Sequence, residues 1–332
     1  MRIKPNQLVI PSVLVEGSLL FKLVKTSNET QNILLIGTSD FAVPIFESIA
    51  NDQRFYIVGV ITQPDKPAGR KKELKESPVK EWSKTKSILP LQPESLKDGS
   101  IDEQVKKMNA DVALVVAYGK LIPDDLLNMP KFGTANVHPS LLPEYRGPAP
   151  IQYAILKGNH KTGTSVMLID EQMDHGPLLT QMEYKLSGNE TYQELSDTLS
   201  RLSANIVPEA LSLYINGTLK PVEQNHNKAT FTKMITSNDG SLFWEKDAVS
   251  LGRRIRALNP EPGTYCMIDG KRLKIKHARN IGRDGKPGEY FEHEGSLAVQ
   301  CGGDALVLDE VQPEGKKWIT GEQYLNGYGL PK

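Results

Sequence analysis

The sequence has 332 residues, of which 39% are hydrophobic and 24% are charged. This composition is typical of a folded globular protein and excludes a disordered chain, a collagen and a coiled coil, while the length predicts two domains. Forty Lys and Arg residues balance forty Asp and Glu residues, so the formal net charge is zero. A nucleic-acid partner requires surplus cations, so the net charge argues against one unless the cations are clustered locally.

Residues 1–31 are predicted to be an extension outside both domains. The stretch from Leu8 to Val24 is apolar, but Pro11, Glu16 and Lys22 interrupt it, and a membrane-spanning helix needs about 20 continuous apolar residues. The same interruptions disfavour a secretory signal. We therefore expect a cytoplasmic protein without membrane association, and a location in an organellar matrix if the extension is a transit peptide.

Apolar runs alternate with helix-compatible stretches from residue 32 onward. The first run, Ile33–Ile36, ends at Gly37, and the helix-compatible stretch 41–50 follows it. Further apolar runs lie at 55–61, 112–117, 134–137 and 164–169. Such runs are typical of parallel strands buried on both faces, so the sequence predicts an α/β domain with a doubly wound, mainly parallel sheet.

The rest of the chain predicts a smaller second domain. An amphipathic helix over about 191–214 should close the first domain, and the polar segment 221–237 is interpreted as a linker. A helix over 244–258 follows, and then come strand-like runs at 264–268, 273–277, 296–301 and 305–311. Short strands at this spacing favour a small, OB-like β-barrel. The predicted domains are thus 32–220 and 238–332.

Metal and phosphate-loop chemistry have little support. Cys266 and Cys301 are the two cysteines, too few for a disulfide scaffold and without the spacing of a metal site, so we expect buried free thiols. The six histidines form no cluster typical of zinc, and no metal is predicted. The turn after the first strand contains no Gly-rich phosphate motif.

Asn136 and His138 carry the clearest chemical signal. They lie one residue apart at the predicted end of a strand, so their side chains should emerge on the same face. An amide donor beside an imidazole suits acyl transfer, in which the amide stabilises an oxyanion and the imidazole exchanges protons. Spacing alone favours the other interpretation, a structurally satisfied histidine in a capped turn.

Asp174 lies in a second candidate segment, the acidic turn 170–177, just after another apolar run. A strand-end carboxylate near a histidine could orient the ring and accept a proton through water. The alternative is an ordinary hairpin turn rich in Asp and Gly. His175 is interpreted as a solvated turn residue.

The order of several motifs resembles that of the methionyl-tRNA formyltransferases, a branch of the folate-dependent formyltransferase superfamily. The resemblance covers about residues 32–330. It rests on Gly37-Thr38-Ser39-Asp40-Phe41, Thr62 to Arg70, Ser77-Pro78-Val79-Lys80, Val116-Ala117-Tyr118-Gly119, Asn136-Val137-His138-x-Ser140-Leu141-Leu142-Pro143, Tyr145-Arg146-Gly147, Met173-Asp174-x-Gly176 and Gln312 to Lys317.

This resemblance implies a Rossmann-like formyltransferase domain and transfer of a formyl group from 10-formyltetrahydrofolate, the co-substrate, to methionine carried by initiator tRNA. Asn136, His138 and Asp174 match the family's catalytic residues. Ser140, Leu141, Leu142 and Pro143 match its folate-binding segment. No obligate protein partner is indicated.

Basic residues are unevenly distributed. Between Arg253 and Arg283 there are nine basic residues against two acidic ones, and a small barrel with such a surface is often used on nucleic acids. A solvated helix face and an exposed strand are the alternative. The expected tRNA contacts are Arg70, Lys71, Lys72, Arg253, Arg254, Arg256, Lys271, Arg272, Lys274 and Lys276. The sequence departs from the family pattern at Lys71, Glu73 and Gln172. Lys71 and Glu73 lie in the 64–78 loop and are expected to change how strongly that loop contacts tRNA.

Two other functions stay open from the sequence. A formyltransferase acting on an amino-sugar nucleotide or a purine precursor would use the same three catalytic residues. The sugar enzyme would not need the basic stretch between Arg253 and Arg283. The purine enzyme would normally end near residue 220. A noncatalytic RNA-binding relative would keep the fold and bind no folate.

Overall fold

The computed structural model describes residues 30–68 and 73–331. Nearly all of the predicted extension 1–31 and the predicted tRNA contacts Arg70, Lys71 and Lys72 lie outside the described residues. The helices are α1 (Ala42–Ala50), α2 (Pro78–Thr85), α3 (Asp102–Met108), α4 (Asp124–Leu127), α5 (Pro150–Leu156), α6 (Tyr192–Ile215), α7 (Ala248–Leu258) and α8 (Gly321–Tyr328).

Fourteen strands are described. They are β1 (Gln31–Gly37), β2 (Phe55–Ile61), β3 (Lys66–Ala68), β4 (Glu73–Lys75), β5 (Val112–Val116), β6 (Thr134–His138), β7 (Lys161–Leu168), β8 (Leu178–Lys185), β9 (Thr264–Ile268), β10 (Lys271–Ile281), β11 (Tyr290–His293), β12 (Ser296–Gln300), β13 (Ala305–Pro313) and β14 (Ile319–Thr320).

The first sheet has the strand order β2-β1-β5-β6-β7-β8. Pairing from β2 to β6 is parallel, and β7 joins β6 in the antiparallel direction. All five residues of β5 are buried, as are Ile33–Gly37 of β1, which is the pattern expected of strands covered on both faces. The predicted α/β fold with a mainly parallel sheet is confirmed.

The second sheet is antiparallel, with the order β11-β12-β13-β10-β9 and β14 beside β13. Its buried cluster includes Ile275 and Leu308 from the sheet, Leu251 and Ile255 from α7, and Tyr324 from α8. The predicted small β-rich domain is therefore present. The helix predicted to begin at residue 244 begins at Ala248, because the Asp247 carboxylate caps it by accepting the Ser250 amide N–H at 2.8 Å.

Contacts divide the chain into two compact units that interleave along the sequence. The first unit comprises the described residues up to Arg146 with Gly163–Tyr184 and Ser196–Phe231. The second comprises Gly147–Thr162, Lys185–Leu195 and the chain from Thr232 onward. The contiguous domain boundaries predicted from the sequence stay a prediction.

The two cysteines are buried and unpaired, as predicted. Among the residues that the structure describes, no helix is long and apolar enough to cross a membrane. Over the same residues, no group of three or more His, Cys, Asp or Glu side chains could hold a metal ion.

Candidate active site

Asn136 and His138 lie at the carboxyl end of β6, in the first unit. Their positions in the strand differ by two, so both side chains leave the same face of the sheet. Asn136 is partly buried, and its side-chain amide makes no hydrogen bond with any described residue. An unengaged amide at the edge where open α/β sheets bind ligands is available to a substrate.

His138 is 5% exposed, and each of its ring nitrogens faces an oxygen atom of the protein. Its Nε2 lies 2.9 Å from the carbonyl oxygen of Tyr145, and its Nδ1 lies 3.5 Å from Oδ1 of Asp174. The carbonyl can only accept, so Nε2 carries a proton and donates it. The second distance exceeds that of an N–H···O hydrogen bond but lies within ion-pair range, so the predicted neighbours His138 and Asp174 do come together.

Both residues that face the His138 ring have left-handed backbone. Tyr145 has φ of 59° and Asp174 has φ of 51°. Non-glycine residues in this region are uncommon and cost of order 1–3 kcal/mol each, which the surrounding structure must offset. The site therefore depends on the loops around it and not on the three side chains alone.

The turn that carries Asp174 is tightly confined. A Cβ placed on Gly176 would lie 2.0 Å from the carbonyl oxygen of Leu168, so only glycine fits there. Gln224 is 4% exposed, and its amide nitrogen donates to the carbonyl oxygens of Asp174 at 3.0 Å and Gly176 at 2.7 Å. Sequence reasoning missed Gln224, because it lies in the segment interpreted as a linker and belongs to no motif.

The segment Ser140–Pro143 is fixed from β7 and β8. Ser165 Oγ donates to the Ser140 carbonyl at 2.6 Å and accepts the Leu142 amide N–H at 3.1 Å. Gln181 Nε2 donates to the Leu142 carbonyl at 2.9 Å. Leu142 is buried, whereas Leu141 is partly exposed. Since these backbone groups are already bonded within the protein, a ligand would meet a rigid segment with apolar side chains.

Two neighbouring strand ends add buried hydroxyls. Ser39, after β1, and Tyr118, after β5, have hydroxyl oxygens that are buried without a hydrogen-bond partner, and burial raises the pKa of Tyr118. Thr38 Oγ1 donates to the Tyr118 carbonyl at 3.0 Å and joins the two turns. Orphaned buried hydroxyls at the carboxyl edge of the sheet could bind a polar ligand. The position of Tyr118 just after a strand was the sequence signal that could have identified it as a candidate ligand-binding residue.

The predicted tRNA contacts fall into two groups in the second unit. On α7, Arg254 donates to the Asp239 carbonyl and Arg256 to the Gly188 carbonyl at 2.8 Å. Arg253 packs closely on Gly158, where an added Cβ would lie 2.1 Å from the guanidinium carbon. Each of these three side chains therefore also contacts another segment of the second unit.

On β10, the predicted contacts are more accessible. Arg272 lies over the Tyr265 ring at 4.2 Å, and Lys276 pairs with Glu310 at 3.1 Å. Lys271 and Lys274 are exposed, and neither side chain pairs with any of the described residues. Lys271 and Lys274 on β10 are therefore unpaired cations in the part of the chain that the structure describes, whereas the α7 arginines also contact the protein.

The chain belongs to the formyl transferase family, a family of formyl-transferring enzymes, because two family models match it. Residues 31–211 match the family Formyl transferase, and residues 234–329 match Formyl transferase, C-terminal domain.

Similar proteins point to one branch of that family. The chain is 37% identical over 303 residues to the methionyl-tRNA formyltransferase of Caldanaerobacter subterraneus subsp. tengcongensis, covering 90% of this chain and 98% of the relative. It is 40% identical over 306 residues to the enzyme of the same name from Lachnospira eligens, covering 90% and 97%.

Two solved structures show the same fold. HypX from Aquifex aeolicus in complex with tetrahydrofolic acid has a TM-score of 0.63 at 16% identity, covering 89% of this chain and 46% of that one. WlaRD, a sugar 3N-formyl transferase, has a TM-score of 0.62 at 16% identity, covering 87% and 100%. At such identities the likeness concerns the fold alone.

Proposed function

We propose that the protein transfers the formyl group of 10-formyltetrahydrofolate to the α-amine of methionine carried by initiator tRNA. The observation that carries the proposal is that His138, at the end of β6, faces Asp174 at 3.5 Å, while Asn136 lies on the same face of that strand. The two relatives that match nearly their full length at 37% and 40% identity support the choice of Met-tRNA over other amine substrates.

The proposed reaction is direct attack by the amine. An α-amino group has a pKa of about 7.7 to 8.0 in model compounds, so much of it is nucleophilic near pH 7. Its nitrogen forms a bond to the formyl carbon, a tetrahedral intermediate collapses, and the bond from that carbon to N10 of the folate breaks. The amine nitrogen loses one proton and N10 gains one, so tetrahydrofolate leaves and no covalent enzyme intermediate is needed.

The residues divide this work by their positions. The free amide of Asn136 donates to the oxyanion. His138, when protonated, places a positive charge beside the oxyanion. Its ring is oriented by the Tyr145 carbonyl at Nε2 and by the Asp174 carboxylate at Nδ1. Asp174 orients the ring and accepts the amine's proton through water.

The substrates are assigned to separate surfaces. Ser140–Pro143 supports the folate, with Leu141 and Leu142 as the apolar wall for a flat pterin. Lys271, Arg272, Lys274 and Lys276 on β10 contact the tRNA backbone. So do Arg253, Arg254 and Arg256 on α7, and Arg70, Lys71 and Lys72. We further propose domains at 32–220 and 238–332 joined by 221–237, and a location wherever translation starts, in the cytoplasm or in an organellar matrix.

Formylation of Met-tRNA tests the proposal directly. The purified chain is incubated with 10-formyltetrahydrofolate and initiator tRNA charged with radiolabelled methionine, and formyl-methionine is measured after hydrolysis. A dTDP-amino sugar serves as the competing acceptor. Formylation of the sugar alone would favour the amino-sugar alternative, and absence of folate binding in a titration would favour a noncatalytic relative.

A further inference from the structure

The segment Val222–Phe231, here called the strap, lies against both loops that carry the candidate catalytic residues. At one end, Val222 and Leu178 exchange two backbone hydrogen bonds of 2.8 and 2.9 Å just after the Asp174 turn. At the other end, Thr230 bonds to the loop after β6: its carbonyl accepts the Arg146 amide N–H at 2.9 Å and its Oγ1 accepts that of Tyr145 at 2.8 Å. The strap is therefore packed structure, unlike a solvated linker.

Gln224 in the middle of the strap joins these two loops. Its amide nitrogen donates to the carbonyls of Asp174 and Gly176. Its Oε1 accepts from Arg146, at 2.7 Å from Nη2 and 3.2 Å from Nε. Gln224 and Arg146 are each 4% exposed, so water cannot easily replace any of these bonds.

These contacts, together with one covalent link, form a ring that starts and ends at His138, and here it is called the circuit. His138 is bonded to the Tyr145 carbonyl, Arg146 follows in the chain, Arg146 is bonded to Gln224, and Gln224 is bonded to the Asp174 backbone. The circuit closes where Asp174 faces the His138 ring at 3.5 Å. Burial lowers the pKa of Arg146, and the charges of Asp170 and Asp174 oppose that shift.

We propose that Gln224 is a positioning residue for formyl transfer, which sets the separation of His138 and Asp174 by tying the Asp174 turn to Arg146. The proposal rests on the proposed function, because it assumes that Asp174 acts in the reaction. It assigns to the strap a role that no feature of its sequence indicated.

Gln224→Glu is the sharpest test. The carboxylate keeps the acceptor for Arg146 and nearly the same shape, but it loses both N–H donors and faces two carbonyl oxygens. We expect kcat to fall about 10- to 100-fold, the range expected for a displacement near 1 Å, while KM for both substrates changes less than about threefold. Hydrogen exchange of the 170–177 amides should become faster. Gln224→Met, of similar length and without charge, should show the same split if the Glu variant does not fold.

Gln104→Glu is the matched control, because it makes the same substitution at an exposed side chain on α3 of the first unit, outside the strap and the candidate turn, and it should keep wild-type kcat and exchange. Thermal unfolding of each variant shows that the assays use folded protein. Wild-type kcat in a folded Gln224→Glu or Gln224→Met variant, with unchanged exchange in the turn, overturns the positioning role and leaves the proposed function intact. A wild-type chain that does not formylate Met-tRNA overturns the proposed function itself.

Discussion

At the scale of single residues, the candidate site combines one free group with two constrained ones. The Asn136 amide has no bond to another described residue, whereas His138 is fixed at Nε2 by a carbonyl and faces a carboxylate at Nδ1. A preorganised donor is worth most where water is excluded and no reorganisation is needed. Asn136 should therefore act on the transition state more than on substrate binding.

Replacing Asn136 by Ala tests this assignment. Loss of one oxyanion donor typically costs about 2.7 to 4 kcal/mol, or about 10²- to 10³-fold in kcat. We expect that loss in steady-state formylation of Met-tRNA, with KM little changed. Asn189→Ala, at an exposed position in the second unit, should keep wild-type kcat. Near-normal turnover of Asn136→Ala would contradict the oxyanion role.

Local patterns, a strand end and an acidic turn, made Asn136, His138 and Asp174 candidates, and the family resemblance then implied that they are catalytic. It missed Gln224 and Thr230 for a physical reason. Their partners lie 50 and 85 positions away in the chain, and a buried amide that bonds to distant carbonyls leaves no periodicity or spacing to detect. The apolar runs that alternate with helix-compatible stretches likewise predicted the parallel sheet, but they did not predict that β7 runs antiparallel to β6.

At the scale of elements, β10 and α7 use their cations differently. Arg272, Lys274 and Lys276 alternate along β10, so they share one face of the strand. Tyr265, the pairing partner of Lys274 on β9, lies under the Arg272 guanidinium. The α7 arginines also donate to or pack on backbone of the second unit. The sequence could locate the basic stretch but could not separate these uses, because that depends on which carbonyls lie nearby.

Lys274→Gln should weaken Met-tRNA binding with little effect on folding. Each phosphate contact adds roughly 0.7 to 0.9 to the magnitude of the slope of log K against log salt, so the slope in filter binding should become shallower by about that amount. Lys97→Gln removes the same charge at an exposed site in the first unit and should leave the slope unchanged. Arg256→Gln should instead lower Tm. A Lys274→Gln slope equal to that of wild type would remove β10 from the tRNA surface.

At the scale of the whole molecule, a net charge of zero hides an uneven distribution. Forty cations and forty anions cancel, yet Lys271 and Lys274 stand exposed on one strand. The second unit also buries several titratable groups. Tyr290 and the two thiols are titratable groups whose pKa values burial raises, so the second unit should respond to alkaline pH.

Burial of the Cys266 thiol predicts the direction in which the free energy of unfolding changes with pH. Burial raises the pKa of Cys266 to about 11, above the value of about 8.5 for an unfolded thiol. The unfolded state therefore loses its proton first, so this stabilisation is complete below about pH 8.5 and is lost as pH rises toward 11. In urea unfolding, the stability difference between wild type and Cys266→Ala should shrink by about 1 to 2 kcal/mol between pH 7.5 and 10. A difference that stays constant over this range would contradict the burial of the thiol.

The strap also determines where the chain can be cut and rejoined. A fragment ending at residue 220 would contain Asn136, His138 and Asp174, yet it would lack Gln224 and Thr230, which bond to the loops around them. A chimera that exchanges the C-terminal domain should therefore place its junction after Phe231, the last residue of the first unit. Exchange of domains among relatives is thus constrained by ten residues that look, in the sequence, like the most replaceable part of the chain.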